Sequence, residues 1–261
     1  MKSIKHRRFT LRLLFVLTFS VCKLGYSQNQ KTIDSLLQII KEEKKDSAKN
    51  LKNLIVIGNF YKKNENHEKA LAYYHQSLII SKNLNDKKQQ AIISEQIGQI
   101  YYIQQNTSNA LYYFQKCLTI CEAIKDMSGV ASSTNNIANI YSDLERYKEA
   151  VKYFRKSLFI AKKMNNKESV FRALNNLGTV HVNLINPDSA LLYFNEGLNI
   201  VKKINNKSSE ALILNNIGEV YERKQDLNKA LEYYSESQQL SQNIGENQRF
   251  ARFIINFFNN V

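Results

Sequence analysis

Apolar residues along most of the chain recur at spacings of three, four and seven residues, the spacing of one buried face of an α-helix. Near the middle of the chain, Ile137 and Ile140 mark one such face. Phe154 and Leu158 mark a second, and the polar stretch 142–147 lies between them. Apolar and polar residues do not alternate as they do in a half-buried β-strand. The pattern therefore predicts two helices, here called helix A and helix B, joined by a short polar turn.

The same helix pair recurs five times at an interval of forty residues, with no insertion or deletion. Each copy has a small residue and an aromatic residue or His on helix A, then Ala, an aromatic residue and a small residue on helix B. The five copies are Gly58, Tyr61, Ala70, Tyr74, Ser77; Gly98, Tyr101, Ala110, Phe114, Cys117; Ala138, Tyr141, Ala150, Phe154, Ser157; Gly178, His181, Ala190, Phe194, Gly197; and Gly218, Tyr221, Ala230, Tyr234, Ser237. A fixed period of this size is typical of stacked supersecondary units in a solenoid.

Short polar residues that can cap a helix precede most of the predicted helices. Before helix B they are Asn66, Asn106, Asn186 and Asp226, with Arg146 as the exception. Before helix A they are Asp46, Asp86, Asp126, Asn166 and Asn206. Pro187, the chain's only proline, follows Asn186 at the first helical position, where a missing N–H costs nothing. The capping residues and the apolar period therefore predict the same helix boundaries.

The stretches Leu177-Gly178-x-x-His181 and Ile217-Gly218-x-x-Tyr221, each followed by Ala-Leu and a pair of aromatic residues, resemble tetratricopeptide repeats. The resemblance covers roughly residues 50–250. It implies an all-α fold, a right-handed superhelical solenoid of antiparallel helix pairs. The usual unit has about 34 residues, so the extra residues are expected at the end of helix B and the start of the next helix A. Repeats of this longer form are similar to those of kinesin light chains, Pins-type spindle adaptors and Rap-type peptide-sensing regulators.

Residues 1–27 have the pattern of a signal peptide. Basic residues precede an apolar run over 13–22, and small residues at Gly25 and Ser27 predict cleavage after Ser27, which makes the chain an exported, periplasmic protein. The apolar run is about half the length that a membrane span needs, and no second span follows, so none is expected after cleavage. An uncleaved anchor and a cytoplasmic protein remain as alternatives.

The two ends of the repeat array differ. Residues 28–50 predict an amphipathic helix that caps the first of the five repeats, which occupy 51–250. Residues 251–261 predict a truncated sixth helix A, with Phe253, Phe257 and Phe258 as candidates for self-association. Two interpretations of this end stay open: a terminal lid helix, or a shortened relative of a longer signalling protein.

The asparagines of helix A are the candidate binding residues. In tetratricopeptide arrays, which the chain resembles, helix A lines a concave groove, and this implies nine groove residues: Gln96, Asn136, Asn176, Asn216, Asn135, Asn175, Asn215, Asn139 and Asn59. Asn is an unfavourable residue inside a helix, and its carboxamide complements a peptide backbone. The resemblance to kinesin light chains implies that such residues hold an extended peptide segment. Hydrogen bonds between Asn side chains of adjacent A helices are the alternative.

No catalytic, metal-binding or phosphate-binding motif occurs, so we expect neither an enzyme nor a cofactor nor a metal site. Cys117 and Cys121 are expected to be buried free thiols. His181 stands where other repeats have Tyr and is expected in the core. The tyrosines that precede each helix B aromatic residue are expected to pack between repeats: Tyr73, Tyr113, Tyr153, Tyr193 and Tyr233.

The formal charge of +14 comes largely from lysines near helix ends, such as Lys162, Lys163, Lys202 and Lys203. Lysines there favour the helix dipole and solubility, so we expect no nucleic-acid partner. The sequence as a whole predicts a non-enzymatic scaffold that binds a protein or extended peptide. The alternative is the sensory input domain of a bacterial histidine kinase or transcription regulator whose effector domain is missing or separate.

Overall fold

The computed structural model describes the backbone of residues 31–42 and 48–258 and the side chains of 31–42 and 48–245. The chain divides into two compact units, unit 1 at residues 1–100 and unit 2 at residues 101–261. The predicted signal peptide lies outside the described residues, and so do the side chains of Phe253, Phe257 and Phe258. Within the described part, no helix is both long and apolar enough to span a bilayer.

All regular structure in the described residues is helical, which confirms the all-α fold class. Helix α1, over residues 31–42, precedes the repeats. The A helices are α2 (Ala48–Lys63), α4 (Lys87–Ile103), α6 (Met127–Asp143), α8 (Lys167–Asn183) and α10 (Lys207–Arg223). The B helices are α3 (His67–Asn83), α5 (Thr107–Ala123), α7 (Tyr147–Lys163), α9 (Pro187–Lys203) and α11 (Leu227–Phe258).

The helices from α3 to α10 each have 17 residues, so the forty-residue period lengthens both helices of the pair. The predicted caps form: the Asn186 side chain accepts from the backbone N–H of Ser189, and Asp126 accepts from Ser128 and Gly129. Arg146, the exception in the cap series, makes no side-chain cap. At the first end of the array, α2 begins at Ala48, ahead of the boundary predicted at residue 51.

A left-handed residue reverses the chain in each of the turns that join successive helices from α2 to α11, and none of these residues is glycine. In the turn from α8 to α9, Ile185 has φ 54°, and the N–H of Asn186 donates to the carbonyl of His181 at 2.9 Å. This six-to-one bond satisfies a carbonyl at the helix end. Ile185 is 88% exposed, so its side chain contributes little to packing. The turn is therefore stabilised by backbone hydrogen bonds rather than by a favourable residue.

The small residues of helix A allow the aromatic ring of helix B to approach the helix backbone. A Cβ atom placed on Gly58 would lie 2.7 Å from the Tyr74 ring, and one placed on Gly178 would lie 2.3 Å from the Phe194 ring. The Ala series of helix B, at residues 70, 110, 150, 190 and 230, is buried against the same interface. The small residues of the repeat motif are therefore the positions at which helices A and B of one pair pack most closely.

The tyrosine of each helix B stacks on the aromatic residue of helix A in its own repeat. Ring centroids lie 5.4 Å apart for Tyr141 and Tyr153 and 5.3 Å apart for His181 and Tyr193. Tyr193 also packs against a buried cluster that contains Phe154 of the preceding repeat and Leu174 of its own repeat. The expected packing between repeats is thus accompanied by stacking within a repeat, and these tyrosines belong to the structural core.

The last helix differs from the sequence expectation. The sequence predicts a separate sixth helix A from residue 251, but α11 continues as one helix from Leu227 to Phe258. The spacing of the left-handed residues, of which the last is Gln225, would place the next one at Gly245. Gly245 does not adopt a positive φ, so it does not form the left-handed turn seen between the other helices. A turn between two helices is stabilised when the second helix packs an apolar face back against the first. The local sequence around Gly245 is not sufficient to form a turn without that packing.

Candidate functional site

The A helices of unit 2 form the candidate site. Helix α6 contacts α8, and α8 contacts α10, so their asparagines lie on neighbouring helices. We call this surface the asparagine face and define it by Asn135, Asn136, Asn139, Asn175, Asn176, Asn215 and Asn216. Asn215 is exposed and the other six are half-buried. The side chains are accessible to a ligand while remaining close enough to interact with one another.

Hydrogen bonds between carboxamides connect the three helices of the asparagine face. Asn176 Nδ2 donates to Asn135 Oδ1 at 3.2 Å and to Asn139 Oδ1 at 3.4 Å. On the next pair of helices, Asn216 Nδ2 donates to Asn175 Oδ1 at 2.9 Å. The alternative drawn from the sequence, that the Asn side chains bond across adjacent A helices, is therefore observed at both helix pairs.

These bonds do not use the full hydrogen-bonding capacity of the asparagines. Each carboxamide has two N–H donors and an oxygen that accepts two hydrogen bonds. Asn135 and Asn139 each accept from Asn176 through the oxygen, and their own N–H groups donate to no other described residue. The asparagine face therefore presents positioned donors together with the carbonyl oxygen of Asn176.

Two open cavities flank the asparagine face. One, of about 200 Å³, includes Asn135, Asn136 and Arg172 in its lining. The other, of about 180 Å³, includes Asn139 and Asn176. Both are lined by residues from helices A and B of unit 2, so a bound segment lying along the asparagine face would have space on either side.

A tyrosine–aspartate pair borders the second cavity. The Tyr102 hydroxyl donates to Asp143 Oδ2 at 2.6 Å. Burial, followed by the hydrogen bond and negative charge of Asp143, raises the pKa of Tyr102 to about 12. The hydroxyl therefore stays protonated near neutral pH and contributes a polar but uncharged edge to the cavity.

The predicted groove residues of unit 1 have different partners. Asn59 accepts a hydrogen bond from the Tyr74 hydroxyl at 2.6 Å, so its oxygen is engaged with helix B. Lys62 Nζ donates to Gln96 Oε1 at 2.7 Å and to Gln99 Oε1 at 2.5 Å. Burial lowers the pKa of Lys62, and the negative charge of Glu95 opposes that shift. The structure thus places Gln96 and Asn59 outside the Asn–Asn network.

Sequence reasoning missed the role of Lys62. Its register position, four residues after the small residue of helix A, holds Tyr102 and Ser142 in the following repeats, and both of these line the second cavity. Scanning that position across repeats would have identified Lys62 and Tyr102 together. Arg172 is a further residue that sequence reasoning did not assign to the site, and the structure places it in the lining of the first cavity.

The residues expected to be structural occupy core positions. Cys117 and Cys121 are buried free thiols with their sulfurs 3.9 Å apart. His181 is 8% exposed, and neither of its ring nitrogens has a hydrogen-bond partner among the described residues. Within the same part of the chain, no group of three or more His, Cys, Asp or Glu residues is arranged to hold a metal ion.

Family models described as tetratricopeptide repeat match residues 51–123, 129–203 and 211–244. No curated protein matches the sequence. The matched ranges include all the residues of the asparagine face and most of each of the five helix pairs described above.

Several solved structures are similar in fold at low sequence identity. BtubC from P. vanneervenii is 17% identical, with a TM-score of 0.73 over 84% of this chain and 90% of that one. A Rap protein complexed with Competence and Sporulation Factor is 17% identical, with a TM-score of 0.65 over 84% of this chain and 61% of that one. A STAND protein with a tetratricopeptide repeat sensor, from Pyrococcus horikoshii, is 22% identical, with a TM-score of 0.68 over 77% of this chain and 31% of that one. This chain therefore spans less than two thirds of the last two proteins.

Proposed function

Because the chain belongs to the tetratricopeptide repeat family, we propose that it is a non-enzymatic scaffold that binds a protein or an extended peptide segment on the asparagine face of unit 2. Tetratricopeptide repeat scaffolds typically take part in protein–protein interactions, and they are generally not catalytic. The Rap structure, solved with Competence and Sporulation Factor, is an example of a similar fold with a bound partner.

The observation that carries the proposal is the row of half-buried carboxamides on adjacent helices. A peptide backbone presents one N–H donor and one C=O acceptor per residue, which the free N–H groups of Asn135 and Asn139 and the oxygen of Asn176 complement. Such contacts read the backbone rather than the side chains of the bound segment. The face therefore fits an extended segment of varied sequence.

Hydrogen bonds within the asparagine face support binding rather than compete with it. A carboxamide that is already oriented by a neighbour loses less conformational freedom when a ligand arrives, and this lowers the free-energy cost of association. Asn176 holds Asn135 and Asn139 in this way, and Asn216 holds Asn175. The internal bonds thus organise the surface in advance of binding.

The basic residues of unit 2 give little support to a nucleic-acid partner. Lys162 pairs with Glu196 at 2.6 Å, and Lys207 pairs with Glu210 at 2.8 Å. Each pair is at least partly exposed and neutralises one positive charge at the end of a helix pair. We therefore keep the proposal of a protein or peptide partner.

The test compares two sets of asparagine substitutions in residues 28–261, the chain proposed to remain after export and cleavage at Ser27. One variant changes Asn136, Asn176 and Asn216 to Ala. The control changes Asn195 and Asn199, exposed residues of helix α9, to Ala. Both variants gain helix propensity of up to about 0.7 kcal/mol per site, so the control reproduces the backbone effect of each substitution, at two sites instead of three. The readout is the set of proteins that each immobilised chain retains from an extract of its native host.

We expect the control to retain the same partner as the unchanged chain and the triple variant to lose it. The lost Asn–Asn hydrogen bonds and the gained propensity are of similar size, so the free energy of unfolding should change little. A triple variant that still retains the partner with unchanged affinity would overturn the proposal. If the triple variant has a lower free energy of unfolding but still binds the partner, the asparagines stabilise the contact between helices and do not bind a ligand.

A second candidate function is that of a sensory input domain for a bacterial signalling system. The observation that favours it is the similar fold of the tetratricopeptide repeat sensor in the STAND protein. Cross-linking in the native host distinguishes the two functions. A histidine kinase or transcription regulator cross-linked to this chain would support the sensory role, whereas partners without an effector domain would support the scaffold.

A further inference from the structure

Helix α7, a B helix of unit 2, has an exposed face on which every side chain but one is basic. The exposed residues of this helix recur at helical spacing and therefore lie along one side of it. They are Lys148, Lys152, Arg155, Lys156, Phe159, Lys162 and Lys163, and we call this surface the basic face. It lies on a B helix and the asparagine face lies on A helices, so the two surfaces share no residue.

The helix dipole explains only part of this charge. Lys162 and Lys163 lie in the last turn of α7, where a positive charge is favourable. Lys148 and Lys152 lie in the first half of the helix, where the dipole does not favour a positive charge. The basic face therefore extends beyond what the stability of the helix requires.

Two of the basic residues are paired with acidic residues of the neighbouring B helices. Lys156 Nζ lies 2.7 Å from Glu122 on α5, and Lys162 Nζ lies 2.6 Å from Glu196 on α9. These ion pairs place α7 between α5 and α9. In the part of the chain that the structure describes, no ion pair to an acidic side chain is formed by the other four: Lys148, Lys152, Arg155 and Lys163.

Large apolar side chains stand among these charges. Phe159 is 69% exposed in the second half of the basic face. On the neighbouring helices, Tyr112 of α5 is 57% exposed and Leu192 of α9 is 67% exposed. Both occupy the register position that Lys152 has on α7, two residues after the buried Ala of helix B. The surface of these three helices therefore combines unpaired positive charge with exposed apolar groups.

A cavity rich in lysine lies at the end of the basic face. It has a volume of about 240 Å³ and its lining contains no acidic residue. The residues that line it are Lys162, Asn165, Lys167, Val170, Ile200 and Lys203. Lys162 belongs both to this cavity and to the basic face, so the two are continuous. Ammonium groups around a small open cavity are suited to a phosphate group.

We propose that the basic face binds the surface of a lipid bilayer that contains anionic phospholipids. The unpaired lysines are attracted to the negative charge of the lipid headgroups. Phe159 inserts at the boundary between headgroups and acyl chains, and the lysine cavity accepts a headgroup phosphate. A bilayer complements both the charges and the exposed apolar side chains across three helices. The inference goes beyond the proposed function, because the asparagine face remains accessible to a bound segment.

The first experiment measures whether Phe159 enters the bilayer. The chain contains no tryptophan, so Phe159→Trp in residues 28–261 supplies a single fluorescent reporter. Ile79→Trp is the matched control, since Ile79 has the same register position on α3 of unit 1 and is also exposed. The probes are vesicles of phosphatidylcholine alone and of an equal mixture of phosphatidylcholine and phosphatidylglycerol. We expect a blue shift only for Phe159→Trp with the mixed vesicles, and a smaller shift at high salt.

The second experiment measures the contribution of the unpaired lysines by sedimentation of the chain with the mixed vesicles. Lys152→Gln combined with Lys163→Gln should weaken binding about thirtyfold, since each basic residue near an anionic surface contributes to the affinity. The control combines Lys87→Gln with Lys88→Gln, which removes the same charge from exposed positions of α4. We expect the control to bind like the unchanged chain.

Contrary results would overturn the proposal. If the chain sediments with vesicles but Phe159→Trp shows no blue shift, the bilayer contacts another part of the chain. An equal loss of binding in the two double-lysine variants would mean that net charge, and not the basic face, attracts the vesicles. If no vesicle binds and the basic face instead retains an acidic protein or a nucleic acid from an extract, the bilayer is the wrong partner.

The proposed function is tested separately. The variant with Asn136, Asn176 and Asn216 changed to Ala should bind the mixed vesicles like the unchanged chain, because these residues lie on A helices. A loss of vesicle binding in this variant would contradict the assignment of the bilayer contact to α7. Loss of the retained partner without loss of vesicle binding would support both proposals.

Discussion

The A helices of unit 1 and those of unit 2 follow the same repeat register. The side chains that connect neighbouring A helices within each unit are different. In unit 1, the ammonium group of Lys62 bridges Gln96 and Gln99. In unit 2, neutral carboxamides bridge the helices, with Asn176 donating to Asn135 and Asn139. The repeat motif that positions these helices is the same in both units, so the connecting side chains vary independently of the packing beneath them.

The packing motif is therefore common to the two units, whereas the polar side chains on the surface of the A helices differ between them. A bridge from a half-buried ammonium group depends on its protonation and desolvation, and the pKa of Lys62 is lowered accordingly. Carboxamide bridges do not titrate. Unit 2 thus keeps a hydrogen-bonding surface that is insensitive to pH, and unit 1 presents apolar Ile55 and half-exposed Val56 at the equivalent positions.

The largest expected change in stability comes from adding a methyl group where helices A and B pack most closely. It tests whether the helix pairs of the two units pack in the same way. Gly178→Ala in unit 2 should lower the free energy of unfolding by about 1–3 kcal/mol, because its Cβ would meet the Phe194 ring. Gly58→Ala in unit 1 should cost less, since the Tyr74 ring lies farther from the added atom. Denaturant unfolding of the purified chains measures both changes.

Gly245→Ala is the matched control for these two substitutions. A Cβ atom at Gly245 meets nothing within 4 Å, so this change should stabilise the chain by up to about 1 kcal/mol through helix propensity alone. Ala138 occupies the equivalent position in the third repeat, which shows that a ring can adjust to a methyl group there. Equal stability of Gly178→Ala and the unchanged chain would contradict the close packing inferred for unit 2.

The next effect concerns the aromatic pair in each unit. Tyr61 stacks on Tyr73 in unit 1, whereas in unit 2 the buried His181 stacks on Tyr193 with both ring nitrogens unpaired. His181→Tyr should raise the free energy of unfolding by about 1 kcal/mol at neutral pH, because it removes unpaired buried polar atoms. Thermal unfolding of the two chains at pH 8 measures this difference.

The same substitution should change the pH dependence of stability. Burial, with the positive charge of Arg155, lowers the pKa of His181 in the folded chain. The unfolded chain therefore binds more protons, and the unchanged protein loses stability as the pH falls through 6.5 and below. His181→Tyr should remove that part of the loss. Identical slopes for the two chains between pH 8 and pH 5.5 would contradict the assignment.

The smallest effect is expected at the charged bridge of unit 1. Lys62→Met should change the free energy of unfolding by less than about 1 kcal/mol at pH 7, since Gln96 and Gln99 are half-exposed and can bind water. Because the folded-state pKa of Lys62 is lowered, the unchanged chain should gain stability relative to the variant as the pH rises toward 10.5. Tyrosine titrations occur in both chains and cancel in this difference.

Asn216→Ala is the neutral counterpart in unit 2 for this measurement. Its hydrogen bond to Asn175 joins uncharged groups, so the stability difference from the unchanged chain should be independent of pH. A pH-dependent difference at Asn216, or none at Lys62, would remove the contrast between the two units.

Much of the fold followed from local sequence. Helix starts at Asn186 and Asp126 were predicted because a short polar side chain can bond the free N–H groups of a first turn, and the structure has those bonds. The position of Gly178 predicted close packing of helices A and B, which its contact with Phe194 confirms. Such features depend on residues near one another in the chain or in register across repeats.

The sequence predicted which residues belong to the candidate site, but it did not predict which of them form hydrogen bonds with one another. The Asn pairs stood out because they are poor helix formers in helix centres, which a single sequence reveals. Their partners did not, since the Asn176–Asn135 bond joins residues 41 positions apart and depends on side-chain rotamers. The bridging role of Lys62 was missed for the same reason. The continuation of α11 past Gly245 was missed because a turn there depends on the packing of a returning helix.

The sequence by itself determined the helix pair, its forty-residue period, its caps and the close approach of helix A to helix B. Each of these follows from backbone hydrogen bonding, apolar periodicity and side-chain volume, which act locally and repeat with the motif. Only the tertiary structure decided which polar groups meet on neighbouring A helices, and that Arg172 borders a cavity without an acidic partner. Those outcomes depend on distances of a few ångströms between separate helices, over which hydrogen bonds and ion pairs form or fail.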